Sequence, residues 1–188
     1  GIFRCSASPY ERACMIASVF KRKKLTAKVI LIDSRDAPAV KAEGFLTAFE
    51  ELYGDHIEYM NSTVIENIDA AGRTIKTDFD DIAFDDGAIY PRIRGARLIE
   101  KLGLADPAAA QKEARIDPFK YNVIGDERVY VTGDCRPMPF SKSASVAHTE
   151  GQYVARVIAG RARGKGEALP WTTPLSVCYS MVNTDPRE

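Results

Sequence analysis

The sequence predicts an α/β protein, and three observations carry that expectation. AKVILIDS, residues 27–34, is an unbroken apolar run rich in β-branched residues and ending in an acid, the pattern of a strand buried on both faces of a parallel sheet. The stretch before it, SPYERACMIASVFKRKK, repeats apolar residues at spacings of three and four, the period of a helix with one buried face. Short strand-like runs bounded by Gly and Asp, and a second long amphipathic stretch near 150, alternate with these through the rest of the chain. At 188 residues and 45% hydrophobic content, the chain suffices for one ordinary domain or two small ones around a packed core.

The elements follow in order. Ser8, Pro9 and Glu11 read as a helix start, with Ser8 as the cap, Pro9 at the first helical position and Glu11 three residues beyond the cap, as in a capping box. The helix runs to about Lys24 and buries Tyr10, Ala13, Cys14, Ala17 and Phe20; the basic run KRKK is its solvated end, where cations suit the dipole. A strand over 27–34, a helix from about Ala42 to Tyr53 and a short strand at 57–60 come next. TVIENIDAAGRTIKTD, 63–78, reads as a hairpin turning about Ala70 to Gly72, and FDDIAFD adds a short strand. YPRIRGARLIEKLGL gives a connection and a short helix, and residues 105–114 read as a surface segment. NVIGDERVYVTGD, 122–134, reads as two strands joined at Gly125 and Asp126, the second ending at Thr132-Gly133-Asp134. A helix from about Ser145 to Ala159 follows, with Val146, Tyr153, Val154 and Val157 on its apolar side, then a loop over 160–167.

Charge and cysteine usage narrow the function. Lys and Arg number 26 against 26 Asp and Glu, so the balance favours neither nucleic acid nor an anionic membrane as partner. No apolar run approaches the roughly 20 residues of a membrane-spanning helix. Cys5, Cys14, Cys135 and Cys178 form no C-x-x-C pair and His56 and His148 no H-E-x-x-H, so no metal is expected. Cys14, on the buried stripe, reads as a small core residue.

A nicotinamide site needs a G-x-G-x-x-G turn so that bare backbone can approach the pyrophosphate. The turn at that place is Cys5-Ser6-Ala7-Ser8-Pro9-Tyr10, without glycine. Asp33 falls where a ribose-binding acid would stand, but without the glycines it reads as a strand terminus. GRARGKGE, 160–167, fails as a phosphate loop because its Gly-Lys precedes glycine instead of Ser or Thr. VYVTGD before a helix is how several flavoproteins hold the ribityl and phosphate region of FAD, although a plain Gly-Asp turn after a strand has the same appearance.

Four motifs taken together are more specific. C-x-x-x-P-Y-E-R-A (Cys5 to Ala13), KVILIDS, Thr-Gly-Asp followed by Pro137-Met138-Pro139, and Cys178-Tyr179-Ser180 resemble, in that order, the flavoprotein subunit of flavocytochrome c sulfide dehydrogenase. That family stands with the sulfide:quinone oxidoreductases in the FAD/NAD-linked disulfide oxidoreductase superfamily. The resemblance implies a Rossmann-like nicotinamide-type domain over 1–92 and the returning part of an FAD-binding domain over 93–188, of three-layer ββα character. It also implies that the FAD-binding βαβ unit and the C-terminal domain lie outside this chain, so that the isolated piece is inactive and retains FAD poorly.

By the same resemblance, Cys5 and Cys178 form a redox-active disulfide beside the flavin, with Glu11 as a capping residue or a proton acceptor. A cysteine ahead of a helix suits this role because the dipole stabilises thiolate. A purely structural bridge is the alternative, closing a loop of about 170 residues. Gly133 and Asp134 would contact the ribityl or phosphate portion of FAD, and Pro137, Met138 and Pro139 the isoalloxazine ring. The family commonly continues Lys-Ser-Gly where this chain has Phe140-Ser141-Lys142, the stretch to Gly151 is about two residues longer, and Cys135 replaces a usual alanine. The implied activity is sulfide oxidation with electrons passing through FAD to a c-type cytochrome, in the periplasm. The alternatives are an NAD(P)H-dependent flavin oxidoreductase and a non-catalytic binding domain.

Overall fold

The computed structural model describes residues 5–90, 93–137, 139–165 and 170–185. They fall into two compact units. The N-terminal unit holds residues 6–90 together with the returning residues 179–185; the C-terminal unit holds Cys5 and residues 93–178.

The N-terminal unit begins with α1 (Ser8–Lys23) and β1 (Val29–Ile32), then α2 (Ala42–Thr47), a π-helical turn over Ala48–Leu52, and β2 (Ile57–Met60). β1 and β2 pair in parallel with Val29 opposite Ile57 and Ile32 opposite Met60, as the apolar run at 27–34 predicts, although the strand itself is shorter. Apolar residues at helical spacing on α1 make the core: Tyr10, Ala13, Cys14 and Ala17 pack with Phe45, Ala48, Phe49, Tyr53 and Ile57. Burying each large apolar side chain contributes roughly 1.5–3 kcal/mol, so this stripe outweighs the residues' weak local preferences. A three-stranded antiparallel meander follows, β3 (Ile65–Asp69), β4 (Thr74–Thr77) and β5 (Asp81–Ala83), turning where the hairpin was predicted.

Two local readings are corrected. Ser8 is not the cap of α1: Ala7 holds that position with helical dihedrals, and no side chain bonds the first turn. Pro9 fits the start and supplies the termination of the preceding chain, leaving Ser8 inside the helix. The predicted helix over 42–53 changes pitch after Thr47, which turns Ala48 and Phe49 into the core. The basic run ends α1 as expected, with Lys21, Arg22 and Lys23 in the last turn and Lys24 left-handed.

The C-terminal unit contains α3 (Arg97–Lys101), the hairpin β6 (Asn122–Val123) and β7 (Asp126–Tyr130), and α4 (Ala144–Ala162). The turn lies at Ile124-Gly125, where Gly125 has a φ of +99° that glycine adopts without strain. β7 stops at Tyr130, and Thr-Gly-Asp leaves the strand: Gly133–Cys135 is a single 3-10 turn. The segment 105–114 is exposed over much of its length but ends in the core at Glu113 and Ala114. Ile99, Ala114, Ile116, Tyr121, Val123, Val131 and Val154 form this unit's apolar centre. Among the described residues no helix is long and apolar enough to cross a membrane.

Candidate redox and flavin site

The glycine-free turn and the acid that ends β1 explain each other. Asp33 is buried, and its Oδ2 accepts hydrogen bonds from the Tyr10 hydroxyl at 2.5 Å and the Tyr59 hydroxyl at 3.3 Å. Its Oδ1 accepts from the Arg35 backbone N–H at 3.1 Å and faces the Arg35 guanidinium at 3.4 Å. The Tyr10 oxygen in turn accepts the Ala39 N–H at 3.0 Å. Burial, followed by the bond to Asp33, raises the Tyr10 hydroxyl above its ordinary range, so it remains a donor; burial raises that of Tyr59 as well. In a nicotinamide site this acid would bind a ribose, whereas here a side chain from the turn holds it. Tyr10 fills the place that glycine would leave open.

The cysteines divide by environment. Cys14 is sealed in the core of the N-terminal unit, and burial pushes its thiol up to about 12, which leaves it inert at neutral pH. Cys135 is half-buried and its Sγ accepts the Ala96 N–H at 3.4 Å. Cys5 and Cys178 are exposed. Both belong to the C-terminal unit, and each is the residue at which the chain passes into the N-terminal one. No disulfide joins any of the four in the structure.

Glu11 lies on the first turn of α1, but its Oε1 accepts the backbone N–H of Met181 at 3.1 Å, an arrangement unlike a capping box. His56 is spent on the Ala27 carbonyl, with Nδ1 at 3.0 Å, and no group of metal-ligating side chains occurs among the described residues.

The Thr-Gly-Asp turn is fixed by groups that local sequence patterns do not reveal. Glu150, fully buried on α4, accepts the Gly133 N–H at 2.7 Å with one oxygen and the Arg136 Nε–H at 2.6 Å with the other. Arg136 is itself completely buried. Lys142 donates to the carbonyls of Asp134 at 3.0 Å and Arg136 at 2.8 Å, and forms an ion pair with Glu113. Gly133 has a φ of +66°, and a Cβ there would stand 3.2 Å from the Cβ of Ala147 on α4, so glycine is needed both for the bend and for the close approach. One signal in the sequence pointed to Glu150: Val146, Glu150, Val154 and Val157 fall on one helical stripe, and an acid in such a stripe calls for a buried partner.

These features fit one flank of a flavin site. Gly133 and the half-buried Asp134 form a rigid turn leading toward the 19-residue α4, followed by the exposed, conformationally stiff Pro137 and Pro139. Met138 lies outside the described residues.

Comparison with known proteins agrees with this geometry. Residues 1–89 match the family model for the central part of the sulfide dehydrogenase [flavocytochrome c] flavoprotein chain. Those residues belong to that family. The NADH dehydrogenase-like protein YutJ of Bacillus subtilis (strain 168) is 37% identical over 54 residues, covering 29% of this chain and 15% of that protein. The fold matches the sulfide:quinone oxidoreductase from the hyperthermophilic bacterium Aquifex aeolicus with a TM-score of 0.62 at 14% identity, over 83% of this chain and 41% of that one. A chain of the Tetrahymena thermophila mitochondrial ATP synthase matches with a TM-score of 0.58, also at 14% identity, over 84% of this chain and 40% of that one. At this identity the structures establish the fold: mixed helix and sheet of the Rossmann-like, FAD-binding type. The chain spans 15% of the curated relative and about two fifths of the solved ones.

Proposed function

We propose that the chain is part of an FAD-dependent sulfide dehydrogenase flavoprotein, with Cys5 and Cys178 as its redox-active pair. The observation that carries the reading is the division of the thiols in a chain whose residues 1–89 belong to the sulfide dehydrogenase flavoprotein family: Cys14 is sealed, Cys135 is engaged, and Cys5 and Cys178 are exposed. In the oxidised pair, hydrosulfide attacks one sulfur, the S–S bond breaks, and the other sulfur leaves as thiolate. The products are a persulfide on the attacked cysteine and one thiolate, so atoms and charge balance. FAD, held by the missing part of the parent together with Gly133, Asp134 and the Pro137 to Pro139 segment, supplies the two-electron acceptor. The Glu150 and Lys142 bonds hold the Thr-Gly-Asp turn in place before any cofactor arrives. A c-type cytochrome as final acceptor and a periplasmic location complete the proposal.

The test is Cys178→Ser in the full-length parent. Sulfide-dependent cytochrome reduction should fall by at least about a hundredfold, the scale on which loss of a covalent catalytic group acts. Activity at the wild-type rate would overturn the assignment. A nicotinamide-dependent reductase is favoured only by the likeness to the NADH dehydrogenase-like protein, and it is opposed by the engagement of Asp33 with Tyr10 and Tyr59. NADH binding in the micromolar range would restore that reading.

A further inference from the structure

Residues 180–184 cross the N-terminal unit as an extended strap without secondary structure of their own. Nearly every residue of the strap is tied by a side chain. Glu11 accepts the Met181 N–H at 3.1 Å, Lys41 donates to the Ser180 hydroxyl at 3.2 Å, and Tyr53 donates to the Val182 carbonyl. Ser18 donates to Asn183 Oδ1 at 2.8 Å and accepts the Thr184 N–H at 3.2 Å, and Arg22 donates to the Thr184 hydroxyl at 2.7 Å. Val182 packs on the core. Glu11, Ser18 and Arg22, seven and four residues apart, share one face of α1. The strap therefore runs along the helix, with Met181 at its start and Thr184 near its end.

Connectivity gives this strap a chemical consequence. Cys178 precedes Met181 by three residues, a reach of at most about 11 Å, and Cys5 precedes the first residue of α1 by three. The Glu11 bond is thus the last anchor before the chain reaches Cys178, and it stands at the same end of α1 from which the chain leads back to Cys5. We propose that Glu11 is a positioning residue for the cysteine pair: by holding the Met181 amide it fixes where Cys178 is presented to Cys5. This rests on the pairing proposed above. It differs from a proton-accepting role, because what matters is an acceptor oxygen at this place and not a basic charge.

The test uses the full 188-residue chain equilibrated with glutathione. Oxidised glutathione takes two electrons from the two thiols, which lose their protons and form the Cys5–Cys178 bond, and two molecules of reduced glutathione result. Non-reducing peptide mapping gives the equilibrium constant, and hydrogen exchange gives the protection of the Met181 amide. Glu11→Ala should lower the constant about tenfold, the equivalent of one hydrogen bond, and release the amide. Glu11→Gln, which keeps a carbonyl acceptor, should stay within about threefold of wild type with the amide still protected. If wild type links Cys5 to Cys178 and Glu11→Ala links them equally well, the positioning role is wrong and the pairing stands. If Glu11→Gln fails as badly as Glu11→Ala, with a loss that varies with pH, the charge matters and the positioning role is again wrong. If wild type never forms the link, the pairing falls and the positioning role falls with it.

Discussion

Each unit buries a carboxylate, and the two are compensated differently. In the N-terminal unit Asp33 meets mostly neutral donors, two tyrosine hydroxyls and a backbone N–H, with the partly exposed Arg35 guanidinium at the edge. In the C-terminal unit Glu150 is matched by Arg136, and both side chains are fully withdrawn from water. The neutral arrangement closes a nucleotide site; the ionic one fixes a turn for a cofactor. The difference shows that one superfamily fold can keep an acid in the expected place and reassign it, while a new buried pair serves the retained site.

Breaking the ionic arrangement should have the largest effect. Glu150→Ala leaves the Arg136 guanidinium buried opposite no carboxylate and the Gly133 N–H without its acceptor, and should cost about 3–5 kcal/mol in urea denaturation. Replacing both partners, Glu150→Leu with Arg136→Met, should recover much of that stability while loosening the Thr-Gly-Asp turn. A loss below about 1 kcal/mol for Glu150→Ala would mean that the pair is not desolvated as the geometry requires.

Tyr10→Phe tests the neutral arrangement and should cost less, about 1–3 kcal/mol, because Asp33 keeps Tyr59 and the Arg35 N–H while the Ala39 N–H loses its acceptor. NADH fluorescence titration should show no binding in either protein, since the ring still occupies the turn. Binding gained by the variant would show that the hydroxyl alone had excluded the nucleotide.

The same unit should respond to alkali. The Cys14 thiol is raised from 9.0 to about 12 by burial, and the Tyr10 and Tyr59 hydroxyls are raised above 10.0. Groups with raised values leave stability intact below pH 9; as pH rises toward 12 the unfolded chain ionises while the folded one resists, and stability falls. Cys14→Ala should therefore lose less stability between pH 8 and pH 11 than wild type does in denaturant titrations, although it is slightly less stable at pH 8.

How much of this was legible follows from the range of the interactions. The parallel strands, the hairpin at 70–72 and the α1 stripe depend on neighbours within a few residues, and the sequence pattern shows them directly. Asp33 was visible as a strand-ending acid, but its partners Tyr10 and Tyr59 lie 23 and 26 residues away, so its engagement was not. Glu150 lies 14 residues from Arg136, and Lys142 meets Glu113 across a segment read as surface; a buried charge is recognisable in a helical stripe, but its partner is set by tertiary packing. The strap over 180–184 has no periodicity, and its anchors on α1 lie more than 160 residues earlier.

The smallest effect separates the two helix starts. Ser8 and Ser143 look alike in sequence, each a serine just before an apolar-periodic run, yet only Ser143 adopts extended dihedrals and turns its hydroxyl to the Val146 N–H, at 3.4 Å. Ala7 precedes α1 in a helical conformation, so Ser8 is already inside the helix and cannot reach back to the first turn. Ser143→Ala should cost about 0.5–1 kcal/mol, and Ser8→Ala should be neutral or slightly stabilising because alanine has the higher helix propensity. The two variants can be compared by thermal unfolding under identical conditions. A loss at Ser8 equal to that at Ser143 would return the cap to Ser8, and with it the capping-box role for Glu11 that its bond to Met181 replaces.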